Sequence, residues 1–277
     1  MPFVEPALAT LNRALRTLVQ LDALELALGL PGVPISTRGI LDGCAFPHLR
    51  LFALSGIGRG AAPPKHSLTP APRLEWFLAR TPALQHLRLA DMYEPLALAS
   101  TDLPQLASFR GSAAAAASVL PGRPVRQLAL VGHEFVTERD LERIAQSAAR
   151  IRWLDLSAMS VTPILLRDVS RHLTRVEVLR VKLALRHTLH WTMSGISLLA
   201  GLTPVLGAFP ALHQLDLSPT SVDGIGPGNA LEESSLCTTW ARGCPSLRQV
   251  IFPSQTKWTL SREQIWVPHP TPPFTRS

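Results

Sequence analysis

The chain is poor in the residues that carry metal-dependent or covalent chemistry. Its 277 residues include three cysteines, and no two of them have the C-x-x-C spacing of a zinc site. Three scattered cysteines are also too few for a disulfide framework, which indicates an intracellular, reducing compartment, cytoplasmic or nuclear. The sequence has no P-loop, no H-E-x-x-H motif and no G-x-S-x-G motif. We therefore expect a non-enzymatic protein with no catalytic residues, no metal and no cofactor.

Long apolar runs are scarce as well. The N-terminal segment carries Glu5 and Arg13, so we do not expect it to be a signal peptide. Residues 195–212 contain no charge, but Pro204 and Pro210 interrupt them. A membrane-spanning helix needs about 20 predominantly apolar residues, so we predict no membrane span.

Lysine is also rare, and nearly all of the positive charge is arginine. Only three of the 27 Lys and Arg residues are lysines, and the net charge is +7. A basic chain attracts anionic partners. The densest basic stretch, residues 167–186, lacks the interleaved aromatic residues of a single-stranded nucleic-acid platform. We therefore expect a protein partner with an acidic segment rather than nucleic acid.

What the chain has in excess is leucine, with 47 residues. The leucines follow a six-residue pattern, apolar-x-x-apolar-x-apolar, which occurs nine times, and Gly111 alone breaks it. Successive patterns begin 19 to 36 residues apart, with a mean of about 28, which falls within the ~20–29 residues of leucine-rich repeats. The nine triads are Leu21/Leu24/Leu26, Leu49/Phe52/Leu54, Leu84/Leu87/Leu89, Leu106/Phe109/Gly111, Val125/Leu128/Leu130, Ile151/Leu154/Leu156, Val176/Leu179/Val181, Leu212/Leu215/Leu217 and Leu247/Val250/Phe252.

Prolines and helical patterns support the repeats independently. A proline precedes six of the triads, where it ends a helix and starts an extended strand. Thr137, with Asp140 three residues later, resembles a capping box at the start of a helix. Strand–helix–strand units of this length stack as parallel strands. Helices are predicted over residues 8–19, Leu74–Arg80, Thr137–Arg150, Pro163–His172, Leu198–Leu206 and Ser234–Arg242.

Three fragments of the chain resemble the repeat region of fungal F-box/leucine-rich-repeat proteins. They are FPHLRLFALSGI (46–57), FLARTPALQHLRL (77–89) and CPSLRQVIFPSQTKW (244–258). The resemblance covers nearly the whole chain and implies an α/β leucine-rich-repeat solenoid, with a parallel concave sheet and helices on the convex side. The common repeat places Asn or Cys three positions after the last leucine, and none of the nine repeats does so here. We therefore expect an irregular solenoid of the ribonuclease-inhibitor-like kind.

The same resemblance implies a function. In that family an F-box docks onto a ubiquitin ligase of the cullin type, and the repeats select the substrate. Only 20 residues precede the first triad, so we expect the F-box to be absent, degenerate or lost from a truncated gene model, and the ligase's linker protein would be a partner only through an upstream F-box. The resemblance thus implies a substrate-recognition adaptor, and a stand-alone repeat scaffold for protein–protein interaction is the alternative.

The triads also predict domain organisation. We expect a single leucine-rich-repeat domain of about nine irregular repeats over residues 1–253. Residues 254–267 are expected to form a capping hairpin, in which Trp258 and Trp266 cover the open end of the core. Residues 268–277 are expected to be a disordered tail.

Alternation along each strand predicts a binding face. The triad packs inward, so the side chains between and beside its last two members line the concave sheet. Trp153 has the profile of an interface hot spot, and packing against neighbouring strands is an equally favoured alternative. The predicted partner-binding residues are His86, Arg88, Arg110, Gln127, Trp153, Asp155, Arg180, Lys182, Gln214 and Asp216.

Several other features do not support a site. Gly56–Ala61 matches a dinucleotide fingerprint, but Pro63 follows where the helix should run. His187 and His190 lack the further ligands that zinc needs. Turn-rich spacers are expected to be surface loops, with partner binding as the alternative. These spacers are residues 57–73, 183–197 and 218–233.

Overall fold

The computed structural model shows a mixed α/β protein whose strands are mostly parallel. It describes residues 4–27, 40–55, 74–90, 92, 94–132, 135–184, 199–221 and 230–270. The chain forms two compact units, which we describe in turn. Unit 1 comprises Met1–Leu128 and Glu134–Arg150, and unit 2 comprises Ala129–His133 and Ile151–Ser277.

In unit 1 the strands β1 to β4 lie side by side in chain order and are parallel. Their register aligns one triad residue from each strand: Leu24, Phe52, Leu87 and Phe109. The next strand, β5, begins in this unit. The elements are α1 (Val4–Thr17), β1 (Ala23–Ala27), β2 (Leu51–Ser55), α2 (Leu74–Ala79), β3 (His86–Leu89), β4 (Ser108–Gly111), α3 (Ala113–Val119), β5 (Gln127–Val131) and α4 (Glu138–Ile144).

In unit 2 the strands β6 to β9 are parallel, and the last two strands are antiparallel. The aligned triad residues are Leu154, Leu179, Leu215 and Val250. The elements are β6 (Trp153–Val161), α5 (Pro163–His172), β7 (Val178–Leu183), α6 (Thr203–Leu206), β8 (Gln214–Asp216), α7 (Ala230–Gly243), β9 (Gln249–Ile251), β10 (Thr256–Leu260) and β11 (Trp266–Pro270).

The nine triads form the core as predicted. Every triad residue is buried except Leu21, which is half-buried. Helices cover the triads: the ring of Phe77 in α2 lies 5.0 Å from the ring of Phe52, and Trp240 in α7 stacks 5.6 Å from Phe252. Each unit is therefore compatible with part of an α/β solenoid.

Gly111, the one exception in the triads, has a steric reason. A Cβ atom at this position would lie 2.8 Å from the ring of Phe109 and 3.3 Å from the Leu89 carbonyl oxygen. The Phe109 ring therefore fills the space that the third triad side chain occupies in the other repeats.

The helices agree with the predictions in position and differ in length. The helices α2 and α5 lie where the patterns place them, and Thr137 caps α4 in a complete capping box with Asp140. The helix α4 ends at Ile144 rather than at residue 150, and α7 starts four residues earlier than predicted. The helix α3 was not predicted, because a run of five alanines has no apolar periodicity.

In both units one backbone carbonyl just before a strand accepts hydrogen bonds from two consecutive N–H groups at the start of the next strand. The Asp22 carbonyl accepts hydrogen bonds from the N–H groups of Arg50 and Leu51, at 2.7 and 3.1 Å. We call this arrangement, with two donors on one acceptor just before a strand, the strand-entry joint. The other acceptors of this kind in unit 1 are the carbonyls of Arg50, Gln85 and Ala107. In unit 2 they are the carbonyls of Arg152, Glu177 and His213.

A buried arginine holds an irregular segment of unit 1. Arg123 is 2% exposed. Its guanidinium donates to the carbonyl oxygens of Ala99 at 2.7 Å and Asp102 at 2.9 Å, and also to those of Val119 and Pro121. Burial lowers the pKa of this guanidinium, and the nearby Asp102 carboxylate opposes the shift. The loop before β4 is thus tied to the C-terminal end of α3.

A buried glutamate holds the C-terminal hairpin of unit 2. The strands β10 and β11 pair with each other, and β10 pairs with β9. Glu233 of α7 is 2% exposed, and its carboxylate accepts from the Ser254 hydroxyl at 2.6 Å and from the Trp258 indole N–H at 2.7 Å. Trp258 and Trp266 are both buried. The hairpin extends to Pro270, so residues 268–270 belong to β11 and not to the expected tail, because they pair in register with residues 256–258.

Candidate protein-binding surface

The face of the unit 1 strands opposite the triads carries four of the predicted residues. We call it the unit 1 sheet face. His86 and Arg88 lie on β3, Arg110 on β4 and Gln127 at the start of β5. His86 is half-buried, and the other three side chains are exposed. The strand register places Glu25 in the same row as Arg88 and Arg110.

Arg88 has an ionic partner that lies two strands away. Its Nη1 atom is 3.6 Å from Oε1 of Glu25. The residue between them in the row is Ala53, whose short side chain leaves room for the arginine to cross β2. Neighbouring strands are about 4.8 Å apart, so the guanidinium spans a distance of two strands. Glu25 was not on the predicted list, although it lies between triad members Leu24 and Leu26 and follows the same rule.

Arg110 is the uncompensated charge on this face. It lies directly beside Arg88 in register, and like charges side by side repel each other. Arg88 leans towards Glu25, whereas Arg110 makes no ion pair with any residue that the structure describes. Next to this pair, His86 Nδ1 and Ser108 Oγ are 2.7 Å apart and hydrogen-bonded. The unit 1 sheet face therefore offers one free guanidinium.

The corresponding face of unit 2, the unit 2 sheet face, has a row of half-buried side chains. Trp153, Val178, Gln214 and Gln249 occupy equivalent register positions on β6, β7, β8 and β9. All four are half-buried. Trp153 is therefore partly covered and partly open to solvent. Gln249 lies on this face by the same rule, since it directly precedes the triad member Val250.

The next row of the unit 2 sheet face centres on Arg180. Asp155 and Asp216 flank it in register. The Nε atom of Arg180 is 3.2 Å from Oδ2 of Asp216. Oδ1 of Asp216 also accepts a hydrogen bond from the backbone N–H of Ser218 at 2.9 Å, which fixes the carboxylate. Arg180 is therefore neutralised within its own face and is not a free cation for an acidic partner.

Asp155 does not face solvent as the alternation predicts. It is only 5% exposed, and its Oδ1 atom accepts from the backbone N–H of Ser157 at 2.8 Å. The strand β6 continues to Val161 with an irregularity after Leu156, so the carboxylate turns onto its own chain. Asp155 supports the shape of this face and is not a contact residue. Lys182, at the end of β7, is exposed.

The buried thiols offer no nucleophile. Cys44, Cys237 and Cys244 are all buried. Burial, and then the negative charge of Glu233, raises the pKa of the Cys237 thiol far above its usual range. Burial also raises the pKa of the Cys44 thiol. A reactive cysteine needs a lowered pKa and access to solvent.

In the part of the chain that the structure describes, no group of three or more His, Cys, Asp and Glu side chains is placed to hold a metal ion. No helix in the same residues is long and apolar enough to cross a membrane. Gly56–Ala61, His187 and His190 lie outside the described residues.

Comparison with known proteins identifies no family for this chain. The sequence matches no protein-family model and no curated protein.

Proposed function

We propose that the chain is a leucine-rich-repeat domain that recognises another protein through its sheet faces. The observation that carries this proposal is the row of half-buried side chains formed by Trp153, Val178, Gln214 and Gln249 on four adjacent strands. A partly exposed aromatic residue among aliphatic and amide groups is typical of the centre of a protein interface. The spacing and burial of the nine triads support the repeat assignment.

The chemistry of the partner differs from the sequence-based expectation in unit 2. The Arg180 guanidinium is already paired with Asp216. Recognition on the unit 2 sheet face would depend on apolar contact with Trp153 and hydrogen bonds to the two glutamines. An acidic segment of the partner fits better against Arg110 on the unit 1 sheet face.

Replacement of Trp153 by alanine tests the proposal. We expect the variant to lose at least about nine-tenths of partner recovery in quantitative affinity purification, because aromatic hot spots contribute about 2 kcal/mol or more. Trp76 is the matched control, since it is 40% exposed and lies on the helix α2 and not on a strand. Unchanged recovery with Trp153→Ala in a variant of normal thermal stability would exclude the unit 2 sheet face as the binding surface.

The narrower role, substrate recognition for a cullin-type ubiquitin ligase, is supported by the resemblance of the repeats to fungal F-box/leucine-rich-repeat proteins. Co-purification of the ligase's linker protein with the full natural protein would support the adaptor role. Recovery of a partner without the linker protein would favour the stand-alone scaffold. An in-frame F-box upstream of Met1 would distinguish the two in the same way.

A further inference from the structure

A groove on the helical side of unit 1 differs in chemistry from both sheet faces. It has a volume of about 420 Å³, within the ~300–1,000 Å³ of typical binding sites. Its floor is apolar and includes Leu96, Ala114 and Ala117. One wall is the first two turns of α4, where Arg139 and Arg143 line it.

The groove exists because α3 has short side chains. Residues 113–117 are five consecutive alanines, and Ala115 and Ala116 are completely buried in the core. Ala114 and Ala117 face the groove. A methyl group extends far less than the leucine or phenylalanine side chains of other helices, so space remains between α3, α4 and Leu96.

The walls are held in place by polar contacts. The Leu96 N–H donates to Ser118 Oγ at 2.9 Å, which fixes one wall against α3. Arg143 Nε donates to the Ala117 carbonyl at 2.9 Å, which fixes the other wall. A preformed groove loses little conformational entropy when a ligand binds.

The α4 wall of the groove carries two arginines and one aspartate. Arg139 and Arg143 are exposed and one helical turn apart. Arg139 makes no ion pair or hydrogen bond with the residues that the structure describes, and Arg143 uses only its Nε atom. Asp140 also lines the groove, but its Oδ2 atom accepts from the backbone N–H and the hydroxyl of Thr137. Its charge is further offset by the N-terminal dipole of α4.

We propose that this groove binds an acidic amphipathic helix of a partner protein. Side chains at positions i and i+4 of a helix have Cβ atoms about 5–6 Å apart. Two carboxylates spaced by one turn on the partner helix therefore match Arg139 and Arg143. Its apolar side chains pack against Ala114, the half-buried member of the apolar floor, in the helix-in-groove mode of recognition. This site is separate from the sheet faces and does not depend on the function proposed for them.

A displayed library of helical peptides panned against the purified full chain tests the inference. We expect enrichment of peptides with acidic residues at i and i+4 beside an apolar face. Arg139→Glu and Ala114→Trp should each raise the dissociation constant of the enriched peptides at least about tenfold, the first by charge reversal and the second by filling the groove. Arg150→Glu is the control, because Arg150 is exposed in the same unit and does not line the groove.

Two results would contradict binding of an acidic amphipathic helix in this groove. Failure to enrich acidic amphipathic peptides would overturn the proposal. Enriched peptides that bind Arg139→Glu and Ala114→Trp as tightly as the natural chain would also overturn it, since they would bind elsewhere. Arg139 is exposed and has no intramolecular partner among the described residues, so its variant should fold normally and keep the test decisive.

Discussion

Units 1 and 2 each secure an irregular segment with one buried charged side chain, and they do so in different ways. In unit 1, Arg123 donates to four backbone carbonyls around the loop before β4. In unit 2, Glu233 accepts from two side chains of the C-terminal hairpin, Ser254 and Trp258. Both charges are 2% exposed, and neither is held by a short-range ion pair.

The difference lies in what each charge recognises. Every residue of the loop has a backbone carbonyl, whatever its side chain. Arg123 therefore recognises the backbone conformation of the loop and not the identity of its side chains. A hydroxyl and an indole N–H belong to particular residues, so Glu233 recognises the sequence of the hairpin. The loop should tolerate substitution, whereas the hairpin should not.

Removal of the arginine should have the largest effect. Arg123→Met keeps most of the volume but leaves the carbonyls of Ala99, Asp102, Val119 and Pro121 without their charged donor. We expect the free energy of unfolding to fall by about 3–5 kcal/mol, because a hydrogen bond to a charged group contributes about 1.5–3 kcal/mol and water replaces part of the loss. Urea denaturation measures the change. Arg126→Met, at an exposed position, is the control and should change stability by less than about 0.5 kcal/mol.

Neutralisation of the glutamate should have the next largest effect. In Glu233→Gln, the amide oxygen can accept from the Trp258 N–H while the amide nitrogen faces the Ser254 hydroxyl, so the hydroxyl must become an acceptor and both hydrogen bonds lose their charged partner. We expect a loss of about 1–3 kcal/mol in the free energy of unfolding, with a change in tryptophan fluorescence as the hairpin loosens. Glu232→Gln, next along the helix and exposed, should have little effect. Equal effects of the two variants would show that the buried contacts of Glu233 do not hold the hairpin.

Loss of one donor should cost less than loss of the acceptor. Ser254→Ala removes the 2.6 Å hydrogen bond to Glu233 and leaves the bond from Trp258. We expect about 1 kcal/mol of destabilisation, the typical contribution of one hydrogen bond. A double-mutant cycle with Glu233→Gln should show coupling. Strict additivity of the two changes would mean that the residues do not act on each other.

Substitution in the loop of unit 1 should have the smallest effect. The Ala99 side chain is exposed, and only its carbonyl contacts Arg123. Ala99→Ser should change the free energy of unfolding by less than about 0.5 kcal/mol, as for other surface substitutions. A loss above about 1 kcal/mol in thermal or urea unfolding would contradict the view that Arg123 recognises only the backbone.

The strands and core could be predicted because they depend on periodicity. Leu87 and Leu89 are buried for the same reason that Leu154 and Leu156 are, since alternate residues of a strand share a face. The hairpin was predicted from Trp258 and Trp266, two large apolar residues beyond the last repeat. Its last three residues were missed because Pro268 and Pro270 suggest a tail, although proline is tolerated on an edge strand.

The contacts on the sheet faces were predictable only in part. The register of Arg180 and Asp216 follows from aligning their triads, which places the two side chains next to each other on adjacent strands. Arg88 and Glu25 lie two strands apart and far apart in sequence. Their ion pair depends on the small side chain of Ala53 between them. Asp155 is buried with its carboxylate hydrogen-bonded to the Ser157 N–H, and alternation along a strand carries no information about such local contacts. The groove beside α3 exists because alanine side chains are small. A search for apolar periodicity does not detect the space that small side chains leave.

The strand-entry joint described for both units has a consequence for how such a chain changes over generations. In unit 1 the four acceptor carbonyls belong to Asp22, Arg50, Gln85 and Ala107, which share neither charge nor size. Since the joint uses only main-chain atoms, substitutions other than proline at these positions leave its hydrogen bonds in place. The intervening segment can also lengthen or shorten without moving the two ends that are joined. Selection can therefore revise the surface of one repeat at a time while the attachment between repeats is inherited unchanged.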